Sequence, residues 1–290
     1  MTVQPDQLAN LTLSLLSSIA LLAVISLGLA VLFGMMGVIN LAHGEFLMLG
    51  AFFTLTGVRH GLNLWVAMVL AALAVGAIGV VVERLLIQHL YGRMPATMLA
   101  TWGLSLILVQ VVVLIYGPAS NGIPTPLGSI RIGDYSVSEY SLVLVGAAVL
   151  LLGLTYLVLT RTRYGTMARA AVMLPDMAAA VGVDVRRTNM LTFGFGSALA
   201  GAGGALLAPI TAVVPSMGQT YVGRAFMTVV VGGPGVVAGT ASAAGLLGGV
   251  NSLVSNLTTS VLGTAALLVV AIVILRFLPT GISGYWERKR

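Results

Sequence analysis

The stretch MMGVINLAHGEFLMLGAF, residues 35–52, places an amide, an imidazole and a carboxylate (Asn40, His43 and Glu45) close together in sequence that is otherwise apolar and small. Its surroundings decide what that means. Of 290 residues, 58% are hydrophobic and 8% charged, and the mean hydropathy is +1.06, a composition suited to a bilayer rather than to water. A charge at the centre of the hydrocarbon costs about 2.5–3.5 kcal/mol on insertion scales, so ionisable groups at that depth face a cavity or a partner. Gly34, Gly37 and Gly44 let the helix break here, and unwound backbone at membrane depth is tolerated where it is buried in protein or lines a water-filled path. Two readings stay open. Asn40, His43 and Glu45 line or gate a polar pathway, or they satisfy backbone groups that the break sets free.

Outward from this stretch, runs of roughly 20 mostly apolar residues, the length a spanning helix needs, lie at about 11–33, 62–82, 96–116, 140–160, 189–210, 236–255 and 260–278. Two further runs, 46–58 and 225–232, are short for a straight crossing and are bounded by Gly-rich or Pro-containing sequence, which predicts broken or re-entrant helices. The expected fold is an all-α polytopic transmembrane helical bundle of eight or nine spans. No linker, low-complexity segment or charge run divides it, so residues 1–290 read as a single integral membrane domain. The alternation of a β-barrel is missing. The 36 glycines cluster inside the apolar runs, as in helical bundles whose backbones approach closely.

The net charge of +6 is distributed between apolar segments, which speaks for topology and against nucleic acid as a partner. Arg84, His89 and Arg93 fill one connection, Arg161, Arg163, Arg169, Arg186 and Arg187 another, and Arg288, Lys289 and Arg290 close the chain. The positive-inside rule makes all three cytoplasmic, which leaves the N-terminus and the 117–139 connection outside and the C-terminus inside. With no cysteine, thiol chemistry and thiolate metal sites are excluded, and with them a His-x-Glu zinc deaminase site. The glycine-rich GFGSALAGAGGA, 194–205, follows no strand and reads as helix packing. A Walker A loop needs a lysine, and the only one is Lys289, so no P-loop is available and any ATP hydrolysis would have to come from another subunit. Neither GxSxG nor HExxH occurs, and the chain reads as a non-enzyme.

Three other features bear on function. The run VVVGGPGVVAGT, 229–240, is a second break, in which Gly232 and Gly233 serve either a packing kink or a hinge that lines a pathway. Arg224, just before it, is with Glu45 the clearest ionisable group at membrane depth; snorkelling to an interface is the expected reading and substrate binding the alternative. The basic segment 161–188 contains MARAAV and DMAAAVG, two short helices joined at Leu174–Pro175, with Asp176 near the start of the second and Gly182 as its stop. It is either an anchoring loop or a docking element for a cytoplasmic partner.

At these residues the sequence resembles the membrane permeases of the ABC importer family for branched-chain amino acids and urea. GMMGVINLAHGEFLMLGAF is similar to the family's N-terminal signature, RAAVMLPDMAAAVGVDVRRTNMLTFGFGSALAGAGGAL to its cytoplasmic coupling loop and the following span, and SMGQTYVGRAFMTVVVGGPGVVAGT and RFLPTGISG to its C-terminal pattern. LYGRMPATMLATWGLSLILVQ and MGQTYVGRAFM look closer to the urea branch. The resemblance therefore implies an ATP-driven importer of urea, with short-chain amides or branched-chain amino acids as alternatives, in a bacterial plasma (inner) membrane. A stand-alone channel or ion-coupled carrier would call for more intramembrane carboxylates than Glu45. The implied partners are a second related permease, two ATPase subunits that hold ATP and Mg, an extracytoplasmic solute-binding protein and membrane lipid. This chain itself is expected to hold no cofactor or metal. By the same resemblance Asn40, His43, Glu45, Gly232 and Gly233 are pathway candidates, and Arg169, Asp176 and Gly182 couple to the ATPase.

Overall fold

The computed structural model describes residues 5–132 and 135–287; the terminal cluster Arg288–Arg290 lies outside them. Twelve α-helices are found among the described residues. Seven lie in segments long and apolar enough to cross a membrane: α1 (Pro5–Met36), α3 (Leu64–Leu85), α4 (Met94–Tyr116), α5 (Tyr140–Arg161), α8 (Val185–Leu207), α10 (Val236–Leu257) and α11 (Ser260–Phe277). The two short runs are helices as well, α2 (His43–Arg59) and α9 (Met217–Gly232). The expected count of eight or nine spans thus resolves into seven long helices and two shorter ones that each follow or precede a break. α6 (Arg163–Met173) and α7 (Pro175–Ala180) occupy the basic connection, and α12 (Gly281–Glu287) ends the described chain.

The 117–139 connection departs from the all-helical expectation. It carries a hairpin, β1 (Ser129–Ile132) antiparallel to β2 (Tyr135–Ser138), with Ser129 opposite Ser138. Strands of four residues leave too short an alternation to register against a chain so apolar throughout. The same connection is tied to the one after α8 by an antiparallel bridge between Asn121 and Val213.

Helices α1 and α8 form the centre: 72% and 67% of their most apolar windows are buried, against 17% for α4 and for α11. Hydrophobicity cannot choose the central helices, because all are apolar. Small residues do. A side-chain carbon at Gly44 would lie 2.6 Å from the carbonyl carbon of Gly218, one at Gly50 would lie 2.7 Å from that of Gly201, and one at Gly204 would lie 2.6 Å from that of Leu47. Helix α2 therefore lies backbone against backbone on α8 and α9. The glycine run 194–205 is this packing surface, with Phe193 edge-on to Phe46 beside it.

Gly204→Val should consequently lower the stability of the purified protein by about 1–3 kcal/mol or more through overpacking. Gly153→Val, on α5 with open space around its Cα, should cost far less. Equal melting temperatures for the two variants would contradict the packing described.

Candidate functional site

The first break runs from Gly37 to Ala42, between α1 and α2. Gly37 has φ +61°, and the space into which a side chain would project is open, with nothing within 4 Å, so glycine is required there by backbone conformation and not by space. Buried backbone donors need acceptors, and the break supplies them. Leu41 N–H donates to the Thr101 hydroxyl at 3.1 Å, Ala42 N–H to Asn40 Oδ1 at 3.0 Å, and His43 N–H to the Asn40 carbonyl at 3.2 Å. Asn40 thus folds back on its own backbone in an Asx turn that starts α2. The His43 ring nitrogen Nε2 lies 2.8 Å from the carbonyl oxygen of Ile25. A carbonyl only accepts, so Nε2 carries the proton and Nδ1 is a bare acceptor in the neutral ring. Ile25 stands about three turns before the end of α1, so the chain has doubled back beside α1 before α2 begins.

Helix α4 closes this region. Thr97, Thr101 and Ser105, all buried, recur every four residues and form one polar stripe on an otherwise apolar helix. Thr101 receives Leu41 N–H, Ser105 is hydrogen-bonded to the Glu45 carboxyl, and near the other end Tyr116 OH lies 2.7 Å from the Thr56 hydroxyl. Each pair is 60 residues apart, so α2 and α4 run parallel and in register. A cavity of 210 Å³ bounded by Gly37, Val38, Tyr91, Arg93 and Thr97 ends against the first member of the stripe. Asn40, His43 and Glu45 are buried just beyond it, and none of them lines a described cavity. Asn40 Nδ2, His43 Nδ1 and Glu45 Oε2 have no hydrogen-bond partner in the protein. The three predicted residues therefore come together, each with one atom holding the fold and one unused.

The second break is held differently. Gly233, with φ +80°, ends α9. The Ser283 hydroxyl of α12 donates to the Gly232 carbonyl at 2.7 Å and accepts from Gly235 N–H at 2.9 Å. A side chain on Gly232 would come within 2.7 Å of the Gly239 carbonyl carbon, and one on Gly233 within 2.6 Å of the Thr280 carbonyl oxygen. Gly232 and Gly233 are covered by the C-terminal segment, and it is their neighbours Pro234 to Ala238 that line a cavity.

That cavity, 630 Å³, lies between the ends of α1 and α5, the start of α10 and helix α6, with Gly34, Met35, Leu159, Arg169, Met173 and Pro234 among its walls. Arg169 is its single charged wall residue, and its guanidinium donates to the Leu159 carbonyl. Helix α6 is anchored by Ala168, buried among Leu27, Val31, Met35 and Leu199, and by Tyr164, whose hydroxyl donates to Thr192 at 2.7 Å. Burial pushes the Tyr164 hydroxyl pKa up, which keeps it a neutral donor. Asp176 is exposed in the first turn of α7. Gly182, at φ +90°, ends that helix in a Schellman turn, with Val183 N–H on the Ala178 carbonyl and Gly182 N–H on that of Ala179. Between the exposed arginines at its two ends the loop also shows an apolar patch: Met173, Leu174, Met177 and Val181 are 62–79% exposed.

The chain matches the family described as branched-chain amino acid transport system / permease component over residues 11–278. It belongs to that family. Similar proteins include the probable branched-chain amino acid transport permease protein LivH of Methanocaldococcus jannaschii, 29% identical over 92% of this chain and 90% of the relative. The high-affinity branched-chain amino acid transport system permease protein BraD of Pseudomonas aeruginosa is 29% identical over 90% of this chain and 91% of its own, and LivH of Escherichia coli K12 is 26% identical over the same shares. No solved structure gives a significant match. The chain is a multi-pass membrane permease and not an enzyme, and the leaning toward the urea branch finds no support among these relatives.

Thr101→Val should strip the acceptor from a buried backbone donor at a cost of about 1–3 kcal/mol, while Thr101→Ser keeps it. Thermal unfolding of the two variants in detergent checks this: Thr101→Val, which keeps the γ-methyl and loses only the hydroxyl, should melt well below Thr101→Ser, and a Val variant as stable as the Ser variant would contradict the role given to the hydroxyl.

Proposed function

We propose that this protein is the membrane-spanning permease subunit of an ATP-driven importer for branched-chain amino acids. The observation that carries the reading is the family match over nearly the whole chain, together with relatives from an archaeon and two bacteria whose names specify the same substrate class. Sparse charge at membrane depth would favour a neutral solute such as urea. Arg224, which faces a cavity instead of an interface, removes that premise.

In this reading the chain lies in the plasma membrane with its N-terminus outside and its C-terminus inside, as the cytoplasmic placement of the arginine-rich connections requires. A second related permease completes the pathway, and a solute-binding protein delivers the amino acid. Two ATPase subunits supply the energy that a chain without a P-loop cannot. They dock on α6 and α7, where Met173, Leu174, Met177 and Val181 present apolar surface outside the spans and Arg169, Asp176 and Gly182 fix the shape of the loop. Movement of α6 bears on both helix breaks, because its cavity is walled by the end of α1 on one side and the start of α10 on the other. Asn40, His43 and Glu45 then stand where solute passes once α4 parts from α2, using the atoms that the fold leaves unpaired.

Proteoliposomes holding the complete importer should take up leucine, isoleucine and valine only with ATP inside and binding protein outside, with no competition from urea. In the same vesicles Gly182→Val, a β-branched residue forced into positive φ, should lower uptake well below Gly182→Asn, which tolerates that conformation. Urea uptake, or leucine uptake without ATP, would overturn the assignment.

A further inference from the structure

Arg224 sits in α9, and its Nη2 donates to the Thr264 hydroxyl on α11 at 3.0 Å. That takes one of five guanidinium donors. The only ion pair among the described residues is Arg187 with Asp184, so no described carboxylate neutralises Arg224. An unpaired cation in so apolar a chain faces a cavity, and here the cavity is seen: 330 Å³ between α1, α5, α9 and α10, within the roughly 300–1,000 Å³ of small-molecule sites.

Its lining is divided chemically. Arg224, Asn251 and Ser17 supply polar groups, and the Ser17 hydroxyl has no partner in the protein. Leu21, Leu144 and Ile210 supply apolar surface, with the Ser18 and Ser141 hydroxyls and Tyr140 between the two kinds of wall. The cavity lies toward the end of the molecule that carries the 117–139 connection: Tyr140, in its wall, begins α5, and Ile210 belongs to the segment whose Val213 pairs with Asn121.

We infer that this cavity is the entry site of the permease on the extracytoplasmic side and that Arg224 binds the α-carboxylate of the incoming amino acid while the leucine and isoleucine side chains take its aliphatic part. The planar guanidinium matches a carboxylate in bidentate geometry. A neutral solute such as urea would leave the cation uncompensated. The inference rests on the amino acid reading above and adds to it a site and a residue that reads charge.

Leucine uptake by the complete importer is compared for wild type, Arg224→Gln and Arg224→Lys. The Gln variant should lose about tenfold or more, as expected for a hydrogen-bonded charge contact, with normal membrane insertion, and the Lys variant should keep an intermediate rate. Because the chain has no cysteine, Ser141→Cys in the cavity wall adds a readout independent of transport. An anionic methanethiosulfonate added outside should label it faster than a cationic one, Arg224→Gln should abolish that preference, and leucine-loaded binding protein should slow labelling. Wild-type vesicles that fail to take up leucine would overturn the functional reading and this inference with it. Wild-type uptake matched by Arg224→Gln, or labelling indifferent to reagent charge, would overturn the inference alone. Should the Gln variant fail to insert, the Lys variant and the labelling preference with Arg224 in place decide.

Discussion

The fold depends on one constraint: backbone that leaves helical geometry inside a membrane must find its hydrogen bonds within the protein. Residues 37–42 meet it with three groups from three places. Asn40 serves its own turn, Thr101 reaches across from α4, and His43 caps the arrangement on the Ile25 carbonyl of α1. Because the break is satisfied there, α2 can begin beside α1 rather than at the end of it, and its first turn can meet α9 at Gly44 and Gly218 with no side chain between the backbones. Replacing Asn40 or Thr101 with an apolar residue would leave a backbone N–H of the break unpaired, a cost that apolar burial nearby does not offset.

The two breaks are neighbours. A side-chain carbon on Gly34, in the last turns of α1, would lie 3.3 Å from the Pro234 carbonyl oxygen, and both positions border the cavity that α6 closes. Helix α6 borders that cavity between the end of α1 and the start of α10, next to both discontinuities. Its attachment is through small residues and two side chains: buried Gly165, Ala168 and Ala171, the Tyr164–Thr192 hydrogen bond and the Arg169 contact with Leu159. Helix α4 is also lightly held, buried over 17% of its apolar window and joined to α2 by hydroxyl groups. Light attachment suits elements that move, since they come from the low-stability end of a structure.

Much of this is legible in the sequence because it follows from short-range chemistry. Seven apolar runs correspond to seven long helices, the two short helices of the basic loop part at Leu174 and Pro175, and Gly182 stops the second. Tertiary partners are not legible. Thr97, Thr101 and Ser105 recur at helical spacing, a signal present in the chain, yet an apolar helix with hydroxyls gives no sign of what they face. Ser283 reaches Gly232 across 51 residues, and no local pattern announces that. The position of Arg224 along the chain, next to a break, suggests an interface, whereas its side chain borders a cavity made by four helices. The leaning toward urea rests on the likeness of two short stretches, LYGRMPATMLATWGLSLILVQ and MGQTYVGRAFM, and the relatives matched over nearly the whole chain give it no support.

The central claim is that ATP acts on the pathway by moving α6 against the two breaks. The absence of cysteine allows a direct measurement: spin labels introduced through Met173→Cys on α6 and Ala238→Cys at the start of α10, with the distance between them recorded in the complete importer with and without ATP. The distance distribution should shift on ATP binding and return after hydrolysis. A distribution that is the same in both states, in vesicles that transport leucine, would contradict it.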